Sequence, residues 1–329
     1  MPVYVGSHSP GGRPGIGVAV ERDGALVVGT TAPCPEEPTY LAMAPGGGTL
    51  YAVHELADGL ASAFAVAAGG RPRLLGWRRI GAAEPCHVSV HPSGRCVFVS
   101  SWGSGSFVVL PVDGDGGLGP PTHLIENPKP YAHMMVSDPR GRWVLGVHMA
   151  AGTVSSYEPD LDSGRLRFRH EAEMAAGAGP RHLALHPAGE VVYVVNELNS
   201  TLTACAFDSE SGRLDRGESI STVPPDSTRD NFPSAVRASP DGRFVYVANR
   251  GHDSIAVIST EPRLRLLATF PCGGEFPRDI AFGAEGRLLY VANERSDLIT
   301  VLAVDPSNGG LALTGQALAF PGPTCLLPV

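Results

Sequence analysis

One segment recurs six times along this chain and constrains its fold more than any other feature. Its core reads P-x-x-h-x-h-x-P-x-G-x-h-h-Y-V-x-N, with h apolar. Copies begin at Pro38, Pro85, Ala132, Pro180, Pro233 and Pro277, spaced 47, 47, 48, 53 and 44 residues apart. That period is the size of a four-stranded propeller blade. Within a copy, an apolar run, a P-x-G turn and a second apolar run predict a hairpin. STLTACAF, DSIAVIS and DLITVLAV supply third strands, and turns such as DSESGRL and DPSNGGL lead into fourth strands. No stretch carries a 3.6-residue apolar stripe, so helix content should be near zero.

The chain ends complete the count. PTCLLPV, from Pro323, matches only the first strand of a copy. VYVGSH, at the start, matches only the second, with GIGVAVE and ALVVGT as third and fourth. The expected fold is all-β: a seven-bladed β-propeller over residues 1–329 as one domain, with the N- and C-terminal strands closing one blade. Closure removes the open edges along which sheets aggregate.

Composition narrows the function classes. Hydrophobic residues, at 43%, suffice for a large core, and the 41 glycines and 30 prolines are scattered as turns. The net charge is −8 and no Lys/Arg run occurs, so nucleic acid is not an expected partner. No apolar run approaches a membrane span, and the opening residues lack a signal-peptide pattern. None of the six cysteines forms a C-x-x-C pair, which argues against zinc. The expectation is a cytoplasmic protein with reduced thiols, monomeric by default, with no cofactor and no metal.

Blade topology turns the repeat into a map. The P-x-G turn lies at one face, here called the bottom. The start of the first strand and the end of the second then meet at the top, beside the central channel. The position after each copy's first residue forms one ring: Thr39, Cys86, His133, Arg181, Ser234, Arg278 and Thr324. The end of the second strand forms another: His8, Glu55, Trp102, Met149, Glu197, Arg250 and Glu294. These rings are diverse and ionisable where the scaffold positions are monotonous, as expected of a small-molecule site. Arg–Glu pairs between blades are the competing explanation for any single member. Substrate-binding candidates are His8, Glu55, Trp102, Arg278 and Glu294, with His87 and His182 beside the first ring. Asn196, Asn249 and Asn293 recur in register and read as turn-fixing residues. Arg95, Arg142, Arg243 and Arg287, and likewise His91 and His186, fall at the bottom as scaffold. The irregular segment STVPPDSTRDNF leads into the sixth blade on the top side, where Arg229 is placed to reach the pocket.

The segments PRHLALHPAGEVVYVVNELNSTLTAC, SPDGRFVYVANRGHDSIAV and FPRDIAFGAEGRLLYVANERSD resemble the propeller lactonase family, which includes bacterial 6-phosphogluconolactonase and a fungal carboxy-muconate lactonizing enzyme. The resemblance covers nearly the whole chain and is strongest in the last three blades. It implies a catalytic set of His133, Arg181, Glu197 and Arg250, all members of the two rings. It also implies hydrolysis of a sugar-type lactone such as 6-phosphogluconolactone. Glu197 or His133 would activate water, and the two arginines would stabilise the oxyanion or anchor an acid group. A lactone-forming cyclase or isomerase using the same rim, and a non-catalytic binding platform, are the alternatives. The family pattern is altered at Tyr131, Ser101-Trp102, His148-Met149-Ala150 and Ala235, which points to a changed pocket on a kept scaffold.

Overall fold

The computed structural model describes residues 1–8, 15–22, 25–67 and 70–329. Seven four-stranded antiparallel sheets form a seven-bladed propeller. The only helix among the described residues is two three-residue 3-10 turns, Ala284–Gly286 and Glu294–Ser296. Blade 1 is built from both chain ends. Pro323–Pro328 lies innermost, followed by Pro2–Ser7, Ile16–Arg22 and Ala25–Ala32. The closing register runs Val3↔Pro328, Tyr4↔Leu327, Val5↔Leu326 and Gly6↔Cys325. The innermost strands of blades 2 to 7 are Pro38–Met43, Pro85–Val90, Ala132–Ser137, Pro180–Leu185, Phe232–Ala238 and Pro277–Phe282.

The repeat's apolar pattern follows from how blades stack. An inner strand is flanked on both faces by neighbouring blades, so both faces must be apolar. Val191–Asn196 is accordingly almost wholly buried, whereas the outermost strand of the same blade, Arg213–Ser221, is mostly exposed. The core is not one central mass but seven apolar clusters, each at one interface between adjacent blades. Leu145, Val147 and Val154 of blade 4 pack on Leu183, Val192 and Val194 of blade 5. Val3 and Val5 of blade 1 pack on Tyr290, Ala292 and Ile299 of blade 7. Each buried Val, Leu or Ile side chain among them stabilises by about 1.5–3 kcal/mol.

The scaffold positions behave as their register suggests. Asn196 donates to Thr201 and Thr203, and Asn249 to Ser254 and the Thr222 carbonyl. Asn293 donates to Thr300. Each ties the end of a second strand to its neighbouring strand. At the bottom, Arg95 pairs with Asp162 at 2.8 Å and Arg142 with Glu210 at 2.7 Å, each reaching the following blade in full solvent. Exposed pairs of this kind contribute little. His91 reaches the Gly141 carbonyl of the next blade at 2.8 Å.

Candidate functional site at the channel mouth

The first ring of rim residues owes its placement to a repeated defect. In every blade the pairing of the two inner strands slips by one residue at the top, for example between Pro180 and His182 and between Pro85 and His87. The extra residue is Arg181, Cys86 or the equivalent. A bulge re-aims one side chain and leaves backbone groups to be satisfied elsewhere. Several ring members supply that partner to the next blade. Arg181 donates to the Ser234 carbonyl at 2.8 Å, Ser234 to Pro277 at 2.7 Å, and Thr324 to Thr39 at 2.8 Å. The Cys86 thiol lies 3.6 Å from the Ala132 carbonyl.

The second ring is held by a recurring backbone bond. Glu55, Trp102, Met149, Glu197, Glu294 and His8 donate their N–H to the carbonyls of Glu37, Glu84, Tyr131, Gly179, Phe276 and Gly322. All six acceptor residues have positive φ. Gly179 and Gly322 adopt it at no steric cost, whereas Glu37, Glu84, Tyr131 and Phe276 are strained there. That strain is concentrated around the mouth.

Between the rings lies a cavity of about 200 Å³, lined by Arg181, Arg250, Arg278, Glu55, Glu197 and His133, with Cys86 and Trp102. Its charges form two groups. Glu197 Oε2 lies 3.0 Å from Arg181 Nε and 2.7 Å from Arg250 Nη2, so two cations share one carboxylate. Opposite, Arg278 lies 3.6 Å from Glu55 and 3.3 Å from Glu294, so two carboxylates share one cation. Glu294 also meets His8 at 3.7 Å, and His8 meets Glu37 at 3.1 Å. The structure thus brings His133, Arg181, Glu197, Arg250, Glu55, Arg278 and Trp102 around one space. Glu294 and His8 stand behind Arg278. Arg250–Glu197 and Arg278–Glu55 link different blades as well as walling the pocket, whereas Arg181–Glu197 and Arg278–Glu294 each join two residues of one blade.

His87 and His182 do not line the cavity. Both lie below it, fully buried, in a stack of rings descending the channel. His133 and His182 centroids are 5.0 Å apart, His182 and His87 5.7 Å, and His87 and Tyr40 4.4 Å. Beneath them Arg237 pairs with Asp279 at 2.8 Å. Arg229 does not reach the pocket. It turns outward to Asp253 at 3.0 Å and to the His252 carbonyl, because that carboxylate lies beside it in the blade 6 turn. Tyr131 and Trp102, two of the family departures, stack at 4.3 Å on the pocket's edge. Glu37 and the Arg237–Asp279 pair were not among the sequence candidates; Glu37 precedes a blade's first residue and Arg237 breaks an apolar strand, the two signals available. A larger groove of about 600 Å³ lies between blades 6 and 7, but its one ionisable lining residue, Asp305, is engaged by Ser307 and Asn308.

Burial sets the protonation states. It pushes His133 and His182 well below the usual histidine range, with Arg181 adding to the effect, and holds His87 at about 3. His54, buried in blade 2, is lowered to about 4 for the same reason. Burial also lowers Arg250 to about 9, with Arg181 as a like charge, and raises the Cys86 thiol, which stays protonated. Burial would raise the Glu294 carboxyl, but His8 and Arg278 outweigh it and hold it at about 2.

A pH dependence of stability follows. These four histidines stay neutral in the folded chain, whereas the unfolded chain takes up protons on them below about 6.5. Their stabilising effect is complete above pH 6.5 and is lost as pH falls, through about 4 for His54, about 3 for His87 and further down for His133 and His182. A single such histidine contributes at most about 1.4 kcal/mol per pH unit, within its own window. Calorimetry should show the melting temperature falling steadily from pH 7 to pH 4, and less steeply in His87→Phe. A flat profile would refute the assignment of buried neutral imidazoles.

Closed blades that point paired cations, carboxylates and a neutral imidazole into one small mouth make that mouth the candidate small-molecule site. The chain belongs to the family described as lactonase, 7-bladed beta-propeller, which matches residues 2–328. A 6-phosphogluconolactonase from Bacillus subtilis is 35% identical over 77% of this chain and 76% of the relative. A 6-phosphogluconolactonase from Pectobacterium carotovorum is 30% identical, over 51% of this chain and 50% of its own length. Among solved structures, a Pseudomonas aeruginosa periplasmic gluconolactonase superposes with a TM-score of 0.91 at 28% identity, covering 99% and 98% of the two chains. A Lactobacillus plantarum protein superposes with a TM-score of 0.92 at 26% identity, over 99% of each chain. No helix among the described residues is long and apolar enough to cross a membrane.

Proposed function

We propose that this protein hydrolyses a sugar-type lactone in the mouth cavity, with His133 as general base. The observation that carries the reading is the sharing of one carboxylate by Arg181 and Arg250, which leaves a local surplus of positive charge beside an unprotonated imidazole. Lactone hydrolysis needs those two properties together: a lone pair to take a proton from water and donors for the oxyanion. Water attacks the lactone carbonyl carbon as His133 takes its proton. The carbonyl oxygen becomes the oxyanion against Arg181 and Arg250. Collapse breaks the ring C–O bond, and the leaving oxygen takes the proton back from His133. The hydroxy acid then ionises to its carboxylate. Glu197 fixes both guanidiniums. The 6-phosphogluconolactonase relatives and the gluconolactonase neighbour support lactone as the substrate class. A cytoplasmic setting is supported by six free cysteines, five of them buried.

The test is turnover of 6-phosphogluconolactone and of unphosphorylated gluconolactone above their spontaneous rates, with its pH profile. With a neutral imidazole as base, kcat/KM stays flat between pH 6 and 8 and falls only in acid, as His133 protonates. His133→Gln should lower kcat by about 100-fold or more. Turnover at the spontaneous rate for both lactones would overturn the reading. A rate limb near pH 6.5 that survives in His133→Gln would overturn the choice of base.

A further inference from the structure

Each of the three pocket arginines already has a carboxylate partner, Arg181 and Arg250 sharing Glu197 and Arg278 meeting Glu55 and Glu294, so none is left over for a second anionic substituent besides the oxyanion. Such a cation stands immediately outside. Arg295 follows Glu294 in the 3-10 turn at the rim. Its guanidinium carbon lies 3.6 Å from the centre of the Phe276 ring. Arg250 approaches the same ring at 5.1 Å. The two guanidinium carbons are therefore within about 9 Å of one another, joined through one aromatic ring. Phe276 is a fixed platform. It has a φ of 61°, its N–H donates to Asp253 at 2.8 Å, and its carbonyl accepts from Glu294. Among the described residues no carboxylate pairs with Arg295, whereas Arg229, in the segment leading into blade 6, is taken by Asp253.

We propose that Arg295 binds a phosphomonoester at the end of the substrate remote from the lactone carbonyl. The proposal rests on the lactone hydrolase reading. With the carbonyl against Arg181 and Arg250, a six-carbon lactone carrying phosphate on its far carbon spans the gap to Arg295. An arginine presents two parallel donors to phosphate oxygens, and stacking on Phe276 removes much of the rotamer freedom that binding would otherwise cost. The site would thereby separate phosphorylated from unphosphorylated lactones by one residue on the rim, without touching the reacting atoms.

The experiment measures kcat and KM on 6-phosphogluconolactone and on gluconolactone for the wild type, Arg295→Ala, Arg295→Lys and Lys129→Ala. Lys129 is an exposed cation on the opposite side of the mouth, in the segment before Tyr131. In Arg295→Ala the ratio of kcat/KM for the phosphorylated over the neutral lactone should fall by about 10- to 100-fold, through KM. Arg295→Lys should recover part of it. An unchanged ratio, or a fall found in Lys129→Ala instead, overturns the proposal, as does a wild type that turns over only the neutral lactone. A wild type inactive on both lactones overturns the hydrolase reading and this proposal with it. Because Arg295 is exposed, its variants should melt as the wild type does, which separates lost binding from lost folding.

Discussion

Glu197→Gln should lower turnover by about 100- to 1,000-fold, the largest loss expected from a single isosteric change in the pocket. The amide keeps the shape of the carboxylate but not its charge. Arg181 and Arg250, both almost fully buried, lose the one anion they share at 3.0 and 2.7 Å. Two like charges then repel across the position where the oxyanion should form. Because the carboxylate also links blades 5 and 6, the melting temperature should fall as well. Steady-state kinetics at a temperature where circular dichroism shows the variant folded separates the two effects. A variant that melts lower but turns over at the wild-type rate would reduce Glu197 to a link between blades.

Asp279→Ala should be the most destabilising change in the channel. Asp279 is buried, pairs with Arg237 at 2.8 Å and accepts the Leu326 N–H at 2.9 Å. Leu326 lies in the strand that closes the ring, so one side chain connects blade 6, blade 7 and the closure of blade 1. Burial pushes the Asp279 carboxyl up and Arg237 opposes it, the balance of an anion kept inside by one partner. Its removal leaves a mostly buried guanidinium and an orphaned backbone N–H. The cost is about 3 kcal/mol, discounted because Arg237 keeps some contact with solvent. The melting temperature should fall by on the order of 10 °C. Replacing both partners, Asp279→Leu with Arg237→Met, should recover most of it, because an apolar pair leaves no charge unpaired. An equally unstable double variant would show that the Leu326 bond, not the ion pair, carries the effect.

The sequence alone was sufficient for the architecture because the signals that encode it are local and repeated. A proline, an alternating apolar run, a P-x-G turn and a second run specify one hairpin, and six copies with matching ends leave few ways to close. The same register located both rim rings, since a bulge at a fixed point of each copy delivers its side chain to the same mouth. Periodicity did not reveal how far each group sits from solvent or which charge takes which. His87 and His182 follow the rim residues by one position, yet that step carries them beneath the floor. Arg229 sits in a top-side segment but is captured by Asp253. Glu197 became the shared partner of two arginines, and Arg278 of two glutamates, through contacts between residues far apart in the chain. Pairing and burial depend on distances set only when the ring closes. Protonation states therefore belong to the tertiary structure, while the blades and the placing of the two rim rings belong to the sequence.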